Sequence, residues 1–175
     1  MGLNELAEPC FVDANIFLFT IWDDDLYGLS CKEFLNRVEA GKLKGYTSVV
    51  VLDEVFHRLM LAELYIRFSI LPRKASSTVH SRPELLSKLE TCFEDVIALH
   101  QVSHLTILPI DGELQKMAVQ LSRKHKLLSH DALHTACCEK MEIDNIATLD
   151  RDFERVEFLT VWTPEEKTDD ESPEI

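Results

Sequence analysis

The chain has 175 residues, 46% hydrophobic and 28% charged, the balance of a single folded domain long enough to bury a core. No apolar run approaches the ~18 residues of a membrane span, and the opening MGLNELAEPC has neither the basic start nor the apolar stretch of an export signal, so a cytoplasmic protein is expected. With 18 basic and 31 acidic residues the net charge is −13, which argues against non-specific nucleic-acid binding unless the acids converge on divalent cations that reverse the local field.

The five cysteines, Cys10, Cys31, Cys92, Cys137 and Cys138, are odd in number and contain no C-x-x-C. They fit neither a disulfide framework nor a thiolate zinc site, and read as small buried residues of a reducing compartment.

PCFVD (residues 9–13) is short, apolar and β-prone, and it reaches Asp13 where the helical pattern ANIFLFTIW begins. A helix over 27–42, closed by Gly41 and Gly45, leads to a strand at 45–49. Residues 50–70 read as a long, mostly apolar helix whose charges, Glu54 and Arg58 among them, fall in i,i+4 pairs on limited faces. Pro72 breaks that pattern, and a Ser/Thr-rich basic loop is expected up to Pro83, followed by a helix over 83–101. LTILPI (105–110) reads as a third strand. Asp111 caps a helix to about 124, and Ser129 caps another to about 142. Strands at 145–149 and 157–162 follow. Residues 163–175, with six acids and one lysine, are expected as a solvated tail, leaving −8 on the body.

Short strands alternating with helices imply a parallel sheet covered on both faces, and such sheets carry function at the carboxyl ends of their strands. Asp13 ends the first strand, Ser48 lies near the end of the second with Glu54 in the helix that follows, and Asp150 ends the fourth. Asp131 stands in the first turn of the helix leading to that fourth strand, and Asp152 is a possible fifth acid. Hard cations such as Mg²⁺ prefer a few carboxylates and retained waters, and two such ions about 4 Å apart serve phosphodiester hydrolysis.

Each acid also has an ordinary role open to it: Asp13 as a helix N-cap, Asp131 as a favourable charge in a first turn, Glu54 as a solvated helix residue, Asp150 and Asp152 as loop surface. HDALH (130–134) matches the spacing of a zincin helix, yet it has Asp for the general base and no suitable third ligand. A haloacid-dehalogenase-type phosphatase would need a second acid where Asn15 stands, and a receiver domain would need an acid pair after the first strand.

FVDANIF (11–17), TSVVVLDEVFHRL (47–59), SHDALHTA (129–136) and ATLDRDF (147–153) resemble, in order, the four blocks of PIN domain nucleases, covering roughly residues 10–162. The resemblance implies a three-layer α/β/α fold with a five-stranded parallel sheet of order 3-2-1-4-5. It implies Mg²⁺- or Mn²⁺-dependent endoribonuclease activity on single-stranded RNA by a two-metal-type mechanism, leaving 5′-phosphate and 3′-hydroxyl ends. Many small members are VapC-type toxins of toxin–antitoxin pairs. Position by position, Asp13, Glu54, Asp131 and Asp150 match the acidic quartet, with Asn15, Ser48 and Thr148 as groups that orient carboxylates and waters.

A single nuclease domain over 1–162 is therefore expected, with an added helical and basic segment around 66–104. Arg73, Lys74 and Arg82 in that segment, and Arg123, Lys124 and Lys126 before the Asp131 helix, are the candidates for contact with RNA phosphates. Trp22, Tyr27 and Phe153 are candidates for base stacking. The apolar helix over 50–70 points to a homodimer, and an antitoxin's Arg entering the acidic pocket is the expected inhibitor. The alternative is a catalytically weak or inactive PIN scaffold that binds RNA or protein.

Overall fold

The computed structural model describes residues 1–167. Five short parallel strands form one sheet in the order β3-β2-β1-β4-β5: β1 Cys10–Val12, β2 Gly45–Ser48, β3 Leu105–Leu108, β4 Asn145–Ala147 and β5 Thr160–Trp162. The expected order is thus observed. β1 and β2 are buried along their whole length, as strands covered on both faces must be.

Seven α-helices connect them: α1 Ala14–Ile21, α2 Gly28–Glu39, α3 Val49–Phe68, α4 Pro72–Ser81, α5 Thr91–Leu99, α6 Gly112–His125 and α7 Ser129–Met141. The chain steps from β1 to β2 to β3 in one direction, then returns across both to place β4 on the other side of β1. Right-handed crossovers put α1 to α5 on one face and α6 with α7 on the other. Outgoing and returning connections therefore diverge between β1 and β4, which opens a crevice at the carboxyl ends of those two strands.

The core beneath the crevice is aromatic and aliphatic: Phe11, Phe17, Phe34, Phe153, Ile16 and Ile146 have essentially no exposed surface. All five cysteines are free and buried within it, as expected. No helix among the described residues is long and apolar enough to cross a membrane.

The structure departs from the sequence reading most in the segment between α3 and β3. The Ser/Thr-rich stretch expected as a loop is α4. Pro72 occupies its first turn, Ala75 is buried and Val79 packs against the core, and Ser77 and Ser81 return their hydroxyls to the carbonyls of Lys74 and Ser77. The single helix expected over 83–101 is broken instead into a 3₁₀ segment, Pro83–Lys88, and α5. Ser129 does not cap α7: Leu128 stands at the N-cap position without a side-chain hydrogen bond, and Ser129 is the first helical residue.

The expected tail begins later than its composition suggests. Ser30 donates its hydroxyl to Glu165 and accepts from the Glu165 amide, Tyr27 donates to Glu166, and the Lys167 amide donates to the Leu26 carbonyl. Residues 163–167 are thereby held against the start of α2. The remainder of the expected acidic tail, 168–175, lies outside the described residues.

The break before α5 is held from a distance. Glu63, buried on α3, accepts from the backbone amides of Glu90 and Cys92, each at 2.9 Å, and from the Arg67 guanidinium at 2.9 Å. It supplies the first turn of α5 with the acceptor that no local side chain provides. Burial alone would raise its pKa, but the two amides and Arg67 together hold it down at about 2.

Glu63→Ala leaves two amides at the start of α5, that of Cys92 buried, and a guanidinium without their acceptor, a loss expected to cost about 2–4 kcal/mol of unfolding free energy in urea at neutral pH. Because the folded-state pKa is depressed, this stabilisation is complete above the ordinary carboxylate value near 4.5 and is lost as pH falls toward 2. The gap between wild type and Glu63→Gln should therefore close across that window. A gap independent of pH would show that the carboxylate charge is not what holds α5.

Candidate functional site

The crevice between β1 and β4 is closed at its floor by backbone. The Asp13 amide donates to the Ala147 carbonyl at 3.1 Å, so the residue after β1 is tied to the end of β4. Asp13 is the N-cap of α1, its Oδ1 accepting from the Ala14 amide at 2.7 Å. Its Oδ2 accepts from Asn15 Nδ2 at 2.6 Å and from Thr148 Oγ1 at 2.7 Å. The capping role and a place at the centre of the site therefore coincide in one carboxylate, only 8% exposed.

Asn15 and Thr148 both donate to this carboxylate. Asn15 Nδ2 also lies 2.9 Å from Thr148 Oγ1, while its Oδ1 accepts from the Leu149 amide at 3.2 Å. Thr148 Oγ1 accepts from the Asp150 amide at 2.9 Å, and Asp150 Oδ1 accepts from the Asp152 amide at 2.8 Å. One hydrogen-bonded chain thus runs from the end of β1 through Thr148 into the loop after β4. Ser48 takes no part in it. This hydroxyl, expected beside the carboxylates, is fully buried and caps α3 by accepting from the Val51 amide.

Asp131 reaches the same place from α7. Its pKa is pushed up to about 6, first by burial and then by the negative charges of Asp150, Asp13 and Asp152. Asp13 is likewise raised, burial being the main cause, opposed by the hydrogen bonds from Thr148 and Ala14, with a further push from Asp150. Four acids from three distant stretches of sequence therefore feel one another.

Glu54 stands on α3 at the edge of this group. Its carboxylate lies 3.6 Å from the Arg58 guanidinium one turn on, and 4.0 Å from His130 Nδ1 on α7. Asp152 is paired with Arg155 at 2.7 Å, which leaves it less free than the other acids. Among the described residues no three Asp, Glu, His or Cys side chains stand together as a ready-made metal cage.

The two histidines of HDALH separate. His130 is exposed, whereas His134 is 1% exposed, packed between Phe11 and Phe153, with Nε2 3.9 Å from Asp13 Oδ1. Its burial holds its pKa down near 4, against a smaller opposing pull from Glu54. The i,i+3 spacing from Asp131 along a helix packed on the sheet is the sequence signal that places His134 beneath the site.

The basic candidates are not drawn into the crevice. Arg73 and Lys74 are exposed in the first turn of α4, and Arg82 pairs with Glu84 at 3.5 Å. Arg123 and Lys124 end α6, and the Lys126 carbonyl accepts from Arg155, which ties that corner to the loop bearing Asp150. Of the aromatic candidates, Phe153 is in the core, Tyr27 packs on Phe19, and Trp22 is 48% exposed.

The PIN domain family profile matches residues 10–159. Ribonuclease VapC2 of Methanocaldococcus jannaschii is 27% identical over 151 residues, covering 86% of this chain and 91% of that protein. Ribonuclease VapC6 of the same organism is 34% identical over 68 residues, 39% of this chain and 44% of that one. Among solved structures, VapC20 of Mycobacterium tuberculosis, a sarcin–ricin loop cleaving toxin, superposes with a TM-score of 0.58 at 19% identity, covering 86% of this chain and 96% of that one. VapBC2 of Rickettsia felis, bound to a DNA fragment from its promoter, gives 0.56 at 14% identity over 90% of this chain and 99% of the matched chain. At such identities the structural likeness speaks for the fold. The profile, by contrast, spans most of the sequence, including all four acidic blocks, and on that ground the chain belongs to the PIN domain family.

Proposed function

We propose that the protein is a divalent-metal-dependent endoribonuclease that hydrolyses phosphodiester bonds of single-stranded RNA, and that it is the toxin of a toxin–antitoxin pair. The observation that carries this reading is that Asp13, Asp131 and Asp150 face one crevice at the β1/β4 junction, where the Asp131 carboxyl is raised to about 6 first by burial and then by the charges of Asp150 and Asp13.

The donor set suits a hard cation. Every candidate ligand is a carboxylate oxygen, and among the described residues no side-chain cation lies within ion-pair distance of Asp131 or Asp150. Asp13, Glu54, Asp131 and Asp150 would hold Mg²⁺ or Mn²⁺, with Asp152 secondary because Arg155 already engages it. When bound, such an ion supplies Lewis acidity for water activation and offsets charge on the phosphate. The chain's own part is orientation. Asn15 and Thr148 fix the Asp13 carboxylate, Thr148 also fixes the loop that carries Asp150, and α7 delivers Asp131 in its first turn. Arg123, Lys124 and Lys126, on the side of Asp150, are assigned to the RNA backbone, with Arg73, Lys74 and Arg82 more distant contributors.

The partners follow from the same surfaces. An acidic crevice is neutralised by a basic side chain, so an antitoxin segment inserting Arg toward Glu54 and Asp131 is the inhibitor proposed here. The M. jannaschii relatives named as VapC ribonucleases support it. Ile66 on α3, 77% exposed, lines a groove of about 220 Å³ with Ile21, Trp22 and Leu59, and this face is proposed to seat a second copy.

Three measurements test the proposal. A labelled single-stranded RNA should be cut in Mn²⁺, remain intact in EDTA, and remain intact with Asp13→Asn protein that is folded by circular dichroism; cleavage surviving the substitution would place the activity elsewhere. Thr148→Val, nearly isosteric, should lower cleavage about 10–100-fold, since it removes the hydroxyl that orients Asp13 and the Asp150 loop. Ile66→Asp should convert a dimer to a monomer in sedimentation velocity, and a wild-type monomer at micromolar concentration would end the dimer proposal.

A further inference from the structure

We propose that His134 is a positioning residue for Asp13, presenting Nε2–H to Oδ1, the carboxylate oxygen that receives one hydrogen bond where Oδ2 receives two. The proposal rests on the metal-binding role given to Asp13 above.

Three observations lead to it. His134 follows Asp131 by one helical turn on α7 and is sealed beneath the site, with the Phe11 ring 5.5 Å away and the Phe153 ring stacked at 6.5 Å and 21°. The imidazole packs between those two rings, and its Nε2 lies 3.9 Å from Asp13 Oδ1. Nδ1, on the opposite side of the ring, is buried and has no hydrogen-bond partner among the described residues.

A residue whose work was only to fill the space between two phenyl rings would be Leu or Phe, because a buried nitrogen without a partner is costly. What the histidine adds is a directed dipole. Of its two neutral tautomers, Nδ1–H would bury an unpaired donor and turn the Nε2 lone pair onto a carboxylate. The Nε2–H tautomer avoids both and points its donor at Asp13.

Counting acceptor sites on Asp13 shows why this matters. Oδ2 receives two donors, Asn15 Nδ2 and Thr148 Oγ1, and so has both lone pairs engaged. Among the described residues Oδ1 receives only the Ala14 amide. Oδ1 is therefore the oxygen left to meet a cation, and it is the one His134 faces. A separation of 3.9 Å is too long for a hydrogen bond. It is a charge–dipole contact in a water-poor pocket, which restrains rotation of the carboxylate without consuming the remaining lone pair.

The first test reads the tautomer on metal-free protein, independently of any nuclease activity. Imidazole ¹⁵N–¹H correlations from ¹⁵N-histidine-labelled protein should report Nε2–H for His134, and an Nδ1–H tautomer would overturn the proposal. The second test measures Mn²⁺ affinity by electron paramagnetic resonance for wild type, His134→Leu and His134→Gln, with thermal unfolding as the control for packing. Leu should weaken Mn²⁺ binding about 10–100-fold. Gln, whose amide nitrogen reaches the place of Nε2, should recover affinity to within a few-fold of wild type. Wild-type affinity in the Leu variant, or an equal loss in Leu and Gln, overturns the positioning role. Should the wild type itself bind no Mn²⁺, the nuclease reading falls, and the tautomer still decides whether His134 addresses Asp13.

Discussion

β1 is hydrogen-bonded to β2 on one side and to β4 on the other, and the site exists because those two neighbours arrive from opposite directions along the chain. A strand of three residues contributes little area, but Cys10, Phe11 and Val12 are wholly buried, so the sheet cannot shift register without exposing them. Register then places the residue after Val12 beside the residue after Ala147. Asp13 and Thr148 meet across that junction, and the bond from the Asp13 amide to the Ala147 carbonyl continues the ladder for one further step. The geometry of the carboxylates is thus a direct extension of strand pairing and owes little to loop flexibility.

The crowding of acids that follows runs against the folding of the chain. Asp13 is desolvated and Asp131 is pressed toward neutrality by burial and then by three like charges, and in a protein of net charge −13 little in the global field offsets this. The fold holds them through neutral donors instead: the Ala14 amide, Asn15 and Thr148 on Asp13, and the Asp152 amide on Asp150. Dipoles of this kind orient a carboxylate while leaving its charge available, whereas a lysine in the same place would neutralise it. Where cations do occur, at Arg58 and Arg155, they sit at the rim on Glu54 and Asp152.

A second carboxylate shows the opposite use of the same chemistry. Glu63 lies nine residues beyond Glu54 on α3, and its charge is fully spent on the α5 amides and Arg67. It fastens the segment between α3 and β3, whose folding as α4, a 3₁₀ turn and α5 makes it an integral helical layer. One helix thus carries an acid left available at the crevice and another consumed in structure, and the difference lies wholly in what faces each.

The amino-acid sequence by itself determined the strand–helix alternation, the parallel order of the sheet and the identity of the acids, because these depend on local periodicity and on four motif blocks whose spacing survives in one chain. Asn15 and Thr148 lie within two residues of an acid in the sequence, and in the structure both hydrogen-bond to Asp13 Oδ2. The sequence could not separate α4 from a loop, because serine hydroxyls that favour turns in isolation also bond back within a helix once Ala75 and Val79 have a core to pack on. It could not foresee the break before α5, whose cap comes from 27 residues away. Only the tertiary structure decided that Ser48 is consumed as a cap, that Asp152 is tied to Arg155, and that His134 lies under Asp13. In each case the deciding partner sits on another element or across a turn, and the choice among hydrogen-bond partners is made by which of them burial brings within reach.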